Sequence, residues 1–143
     1  MEANWHAIEH RIREHVAKQG FMAFMGASID ALAPGSCTIS LAVRPNLLQQ
    51  LGYVHGGVVA FLVDNSATIA AATMLRHGQA VLTAEFKLNY LAPAQGERVV
   101  ARARVIKPGR SMSVSATDIY AIAGDEERHV ATALATIAII AAP

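Results

Sequence analysis

The sequence predicts an α+β domain in which one long helix is wrapped by a curved antiparallel sheet of six strands. Three observations carry that expectation. From Gly57 to about His77 runs an apolar segment of strong helix formers, stopped by Gly78. Six other segments alternate polar and apolar residues, most of them set off by turn-forming residues. The long segment is apolar on nearly every side, so as a helix it must be buried on more than one face. The order short helix, two strands, long helix, four strands leaves the sheet to supply that burial.

The first element, within residues 1–19, is an amphipathic helix ending at Gly20. Trp5, Ile8, Ile12 and Val16 fall at helical spacing, and Asn4 is placed to cap the N-terminus. "MGASIDAL" and "GSCTISLAV" then alternate as two strands around the turn "APGS". "RPNLLQQLGYVHGG" reads as a loop carrying polar side chains into the long helix. Four strands follow, in "AVLTAEFKLNYLAP", "GERVVARARVIKPG", "RSMSVSATDIYAIAG" and "ERHVATALATIAII". In the second of these Val99, Ala101, Ala103 and Val105 share one face while Arg98, Arg102 and Arg104 share the other. That pattern describes a strand packed on one side and wet on the other.

Composition narrows the class. The 143 residues suit one domain, 1–143, able to bury about 70% of its unfolded surface. Charged residues make up 16%, against the usual share of about 25%, so part of the surface is expected to be covered by a second copy of the chain. Net charge is +1 and no Lys/Arg cluster is interleaved with aromatics, which argues against a nucleic-acid partner. The lone Cys37 rules out a disulfide framework or a CxxC site and, in an alternating segment, reads as a buried inert thiol. His6, His10 and His15 lack carboxylates at metal spacing and read as an exposed helix face, so no metal is expected. No secretory leader is recognisable, and no apolar run reaches the roughly 18 residues of a membrane span, so the expected location is the cytoplasm.

The chemistry concentrates in "VHGGVVAFLVDNSAT". If the helix begins at Gly56–Gly57, its first N–H groups lack intrahelical partners and carry the positive end of the dipole. Glycine admits close approach of a substrate to the backbone, as an acyl carbonyl becoming tetrahedral requires. The same glycines would also serve a tight loop-to-helix turn. Asp64 shares a helix face with Thr68 at i+4. A buried, unpaired carboxylate is costly, so Asp64 must reach water, find a partner or face a cleft. In a cleft it can polarise a water or attack a carbonyl itself. A merely solvated helix face fits poorly, because Asn65, Ser66, Arg76 and His77 form no stripe with it. Asp64 lies eight residues from Gly56, roughly 12 Å along a helix, whereas both would need contacts of about 3 Å to one carbonyl. The two groups can share a substrate only if they come from different chains, which predicts a two-fold dimer.

The pattern H-G-G, six residues, D-N, followed by "LNYLAPAQGE" and "VIKPGRSMSVSATDIY", resembles the hotdog-fold acyl-CoA thioesterases of the PaaI-like and THEM-like group over about residues 20 to 140. The resemblance implies a hotdog fold, hydrolysis of an acyl-CoA substrate without a further cofactor, and homodimers that assemble into homotetramers. It matches Asp64 to the catalytic nucleophile or general base, Gly56 to the glycine whose N–H polarises the thioester carbonyl, and Gln49 to a Gln or Asn that helps hold carbonyl or water. Thr68 matches a threonine one turn after the acid in the related 4-hydroxybenzoyl-CoA thioesterases, and Thr83 a water-positioning Ser/Thr. His55 matches a histidine that mainly braces the loop, with a catalytic base as the alternative. The substrate-binding surface implied by the resemblance takes in Asn46, Gly57, Asn65, Thr83, Tyr90, Arg110 and Ser111, the last two against the CoA phosphates. Two other classes compete: a hotdog hydratase or dehydratase, whose "HFP" or "D-x-N-P-x-x-H" strings are absent here, and a non-catalytic acyl-CoA-binding module. The latter usually carries an appended DNA-binding domain, for which 143 residues leave no room.

Overall fold

In the computed structural model, which describes residues 2–143, the N-terminal amphipathic segment folds as α1 (Glu2–Ala17). Asn4 lies inside this helix, not at its cap, and the helix stops three residues before Gly20. A second, unanticipated helix follows, α2 (Gly20–Met25), which buries Met22 and Met25 and ends where Gly26 turns left-handed (φ 68°). Arg44 secures that end by donating to the carbonyls of Met25 and Phe24, at 2.9 and 2.5 Å. The first strand therefore starts at β1 (Ala27–Ala33) and turns through Pro34 and Gly35 into β2 (Ser36–Ala42).

The apolar segment forms α3 (Gly56–Ala72), which ends five residues earlier than its sequence suggests. Thr73 ends it: its hydroxyl donates back to Ala70 O (2.6 Å) and accepts from Gly35 N–H (2.7 Å). The remaining strands are β3 (Gln79–Tyr90), β4 (Arg98–Lys107), β5 (Met112–Ala123) and β6 (Glu126–Ala141). All six strands form one antiparallel sheet in the order β1-β2-β4-β5-β6-β3, which leaves β3 as an edge.

The sheet curls around α3, which packs on β2 through β6. Leu62 and Val63 are fully buried among Ile39, Leu41, Val99 and Ile119. Alanines at 101, 103, 121, 131, 133 and 135 keep the inner sheet surface low, so the helix can lie close to it. The alternation in β4 holds: Val99, Ala101 and Ala103 face the helix, while Arg98, Arg102 and Arg104 pair outside with Asp30, Glu127 and Asp118. Cys37 is buried on β2, and burial pushes its thiol up to about 12, so it stays protonated and unreactive. No helix among the described residues is long and apolar enough to cross a membrane.

Candidate active site

The loop before α3 is a small bridged structure. Leu48 pairs with Val54, Gln49 N donates to Tyr53 O (2.8 Å), and His55 N donates to Leu47 O (2.8 Å). This delivers His55 in an extended conformation (φ −60°, ψ 137°) as the N-cap, and its Nδ1 accepts from Gly57 N–H at 2.8 Å. Gly57, expected at the substrate, therefore has its N–H occupied by the histidine ring. Gly56 N–H has no acceptor among the described residues. The Gly56 carbonyl accepts from the Tyr90 hydroxyl at 2.7 Å.

A Cβ on Gly56 would lie 3.1 Å from the Tyr90 oxygen, so this approach of strand to helix end favours glycine. A cleft of about 510 Å³ opens beside it, lined by Gln49, Tyr53, Gly56, Tyr90, Pro93 and Val130 among others. Gln49 faces this cleft, although its side-chain oxygen accepts from Leu51 N–H within its own turn. Asn46 is engaged by Arg44 Nε (2.9 Å).

Along α3 the residues that keep some exposure are Gly56, Gly57, Ala60, Asp64, Asn65, Thr68 and Ala72, most of them in a stripe at helical spacing that is the open face of a buried helix. Asp64 is half-buried on this stripe and turns toward β3, where Thr83 Oγ1 donates to its Oδ1 at 2.5 Å. Thr68 Oγ1 lies 2.8 Å from Thr83 Oγ1. The direction of these bonds follows from counting protons. A carboxylate only accepts, and a hydroxyl has one proton. Thr83 gives its proton to Asp64, so Thr68 donates to Thr83. Thr83 is left with one acceptor site, Thr68 with free lone pairs, and Asp64 Oδ2 with no hydrogen-bond partner among the described residues.

The other expected residues divide between the two ends of the helix. Asn65 turns its amide to Met22 Sδ (3.6 Å), away from the Asp64–Thr83 pair. Arg110 and Ser111 sit exposed in the β4–β5 turn; the row Ser113–Ile137–Thr83 places that turn at the Asp64 end of the sheet. Gln49, Gly56 and Tyr90 stand at the opposite end. The hydroxyl pair and the carboxylate thus form one cluster, and the helix N-terminus with its cleft another. Leu51 and Tyr53, which line the cleft, escaped the sequence reading because nothing in an isolated loop marks them.

The family model of the thioesterase superfamily matches residues 51–127, which include the last part of the loop, α3, β3, β4 and β5. A 1,4-dihydroxy-2-naphthoyl-CoA hydrolase from Listeria monocytogenes is 33% identical over 95 residues, covering 66% of this chain and 77% of that protein. The human acyl-coenzyme A thioesterase 13 is 32% identical over 88 residues, covering 61% of this chain; the chain spans 62% of that relative's length. Among solved structures, a thioesterase family protein from Silicibacter pomeroyi superposes with a TM-score of 0.92 at 39% identity, over 94% of this chain and 99% of that one. A thioesterase from Haemophilus influenzae, at 24% identity and a TM-score of 0.80 over 89% and 87% of the two chains, shares the fold.

Proposed function

The chain belongs to the thioesterase superfamily, as a thioesterase-family hydrolase with the hotdog fold, and from that premise we propose that it hydrolyses acyl-CoA thioesters at sites shared across a two-fold dimer. Asp64 of one chain acts as general base and Gly56 N–H of the partner chain receives the thioester oxygen. The observation that carries this reading is the division of the site into two clusters, both anchored on edge strand β3: Asp64 through Thr83, and Gly56 through Tyr90.

Phe86 lies three residues after Thr83 and four before Tyr90. A two-fold axis near Phe86 would pair the free edges of two copies antiparallel and run the Thr83 end of each chain beside the Tyr90 end of the other. One carbonyl could then meet both groups. Water attacks the carbonyl carbon as its proton passes to Asp64, and the oxyanion forms against the Gly56 N–H. On collapse the C–S bond breaks and the CoA sulfur takes the proton, giving free acid and thiol. The free lone pairs on Thr68 and Thr83, beside Asp64 Oδ2, are acceptors that can orient this water, which favours the general-base role over direct attack.

Arg110 and Ser111, at the Asp64 end, would meet the phosphates of CoA, and the hydrolysis calls for no cofactor beyond the substrate. Leu82, Met112, Leu134 and Ile140 lie exposed on the outer sheet face, an apolar surface that supports pairing of dimers into a tetramer in the cytoplasm.

Free-thiol release from a panel of aryl-, branched- and linear acyl-CoAs tests the reading. Turnover of at least one class is expected. Binding without thiol release would instead indicate an acyl-CoA-binding module, and a fully active monomer would exclude the shared site. Thr83→Val removes the donor to Asp64 while keeping its shape. A hydrogen bond to a charged group contributes about 1.5–3 kcal/mol, so kcat should fall about 10- to 100-fold, with a smaller loss in Thr68→Val. Equal losses in the two variants would contradict the proton order deduced above.

A further inference from the structure

We propose that Tyr90 is a positioning residue which, together with His55, clamps the peptide group between Gly56 and Gly57 and so fixes the direction of the Gly56 N–H. The inference rests on the role given to that N–H above and extends it to what holds the group in place.

The carbonyl of Gly56 and the N–H of Gly57 belong to one planar unit. Its oxygen accepts from the Tyr90 hydroxyl at 2.7 Å, and its N–H donates to His55 Nδ1 at 2.8 Å. Both ends of the plane are therefore held, from opposite sides in the chain: His55 from the preceding loop, Tyr90 from β3, where it pairs with Ala131. Two successive glycines have more backbone freedom than any other pair, and the first turn of a helix is its least supported part. Without external anchors the peptide planes on either side of Gly56 would rock about its Cα, and a single N–H aimed at a developing oxyanion would lose its aim.

The ring adds a wall to the hydroxyl, because Tyr90 atoms lie 3.1–3.4 Å from where a Gly56 Cβ would stand. The clamp also changes the assignment of Tyr90 itself. Its one proton is committed to the Gly56 carbonyl, so its hydroxyl donates no hydrogen bond to the substrate, although the ring lines the cleft. His55 likewise acts here through Nδ1 as an acceptor, so Nδ1 carries no proton and the single ring proton sits on Nε2.

Tyr90→Phe separates clamp from wall, since it removes only the hydroxyl. In the full-length protein, kcat for the best acyl-CoA of the panel should fall about tenfold, the scale of one neutral hydrogen bond, while KM changes less than about twofold. Amide hydrogen exchange provides a readout that needs no substrate: exchange at Gly57 should accelerate about tenfold in Tyr90→Phe, with Leu62 and Val63 unaffected. His55→Ala should produce the same exchange change, and the double variant should add less than the sum, as expected for two anchors on one rigid plane. Unaltered exchange at Gly57 would overturn the clamp. Faster exchange with unaltered kcat would overturn its catalytic purpose. A rise in KM alone would return Tyr90 to substrate contact. If no acyl-CoA in the panel is turned over, the functional reading fails while the exchange measurement still decides whether the clamp exists.

Discussion

Asp64→Asn is expected to abolish nearly all turnover, by about a thousandfold in kcat, within the range a positioned general base supplies. The substitution is close to isosteric. Its side-chain oxygen can still accept from Thr83, and Thr68 can still donate to Thr83, so the hydroxyl chain beside the helix keeps its direction. What disappears is the capacity to take a proton at the second oxygen, which becomes an NH₂ donor. Affinity for acyl-CoA should persist, because Arg110 and Ser111, proposed to meet the CoA phosphates, are untouched. The melting temperature should hold or rise, since a half-buried charge with one hydrogen-bond donor is replaced by a neutral amide. Thiol release and thermal unfolding, measured on the same preparation, check both statements. Asp64→Ala should be as inactive but should also free Thr83 to rotate. Retention of more than a tenth of the activity in Asp64→Asn would remove Asp64 from the proton transfer and leave the hydroxyls of Thr68 and Thr83 to explain the chemistry.

The residues that the sequence made conspicuous were those that break a local pattern. Asp64 stands out because it interrupts an apolar helix, and the arginines of β4 because they alternate with small apolar residues. Such features depend only on the period of the element that carries them, so they survive without knowledge of the partner surfaces. What stayed hidden depends on contacts between distant segments. Six residues are too few to show a helical period, and α2 owes its ordered end to Arg44, about twenty positions along the chain. The end of α3 is fixed by Thr73 meeting Gly35 across 38 positions, so the helix formers that continue toward His77 mislead.

The site shows the same division. Asp64, Thr68 and Thr83 could each be singled out by likeness to a family, but the order of their protons could not. That order needs Thr83 on β3 to approach both α3 side chains at once. Gly57 was assigned to the substrate because a glycine pair before a helix looks open. In the fold, of the pair only Gly56 keeps a free N–H, because the histidine ahead of it curls back onto the N–H of Gly57.

Gly56→Pro carries the second large effect and reaches the dimer question directly. Proline at the first position of a helix keeps helical geometry and removes only an N–H that has no partner in the helix. The preceding His55 is already extended, as a residue before proline prefers (φ −60°, ψ 137°). The new ring does add a Cβ 3.1 Å from the Tyr90 oxygen, so Gly56→Ala, which adds the same Cβ but keeps the N–H, is the matched control. The loss on going from Ala to Pro then measures the donor itself and should be about 10²–10³-fold in kcat, the scale of one oxyanion-hole donor.

The proline variant can next be mixed with Asp64→Asn under conditions that exchange subunits. Each parent alone is inactive. In a mixed dimer one site receives an intact Asp64 and an intact Gly56 from different chains, and the other receives both defects. Random exchange makes half the dimers mixed, each with one working site of two, so activity should recover to about a quarter of the unsubstituted protein. If the two groups acted within one chain, every site in every mixture would contain a defect and no activity would return. Recovery therefore distinguishes a carbonyl held between two chains from one held inside either, and it does so without requiring the acyl group to be known beyond a single substrate that the enzyme turns over.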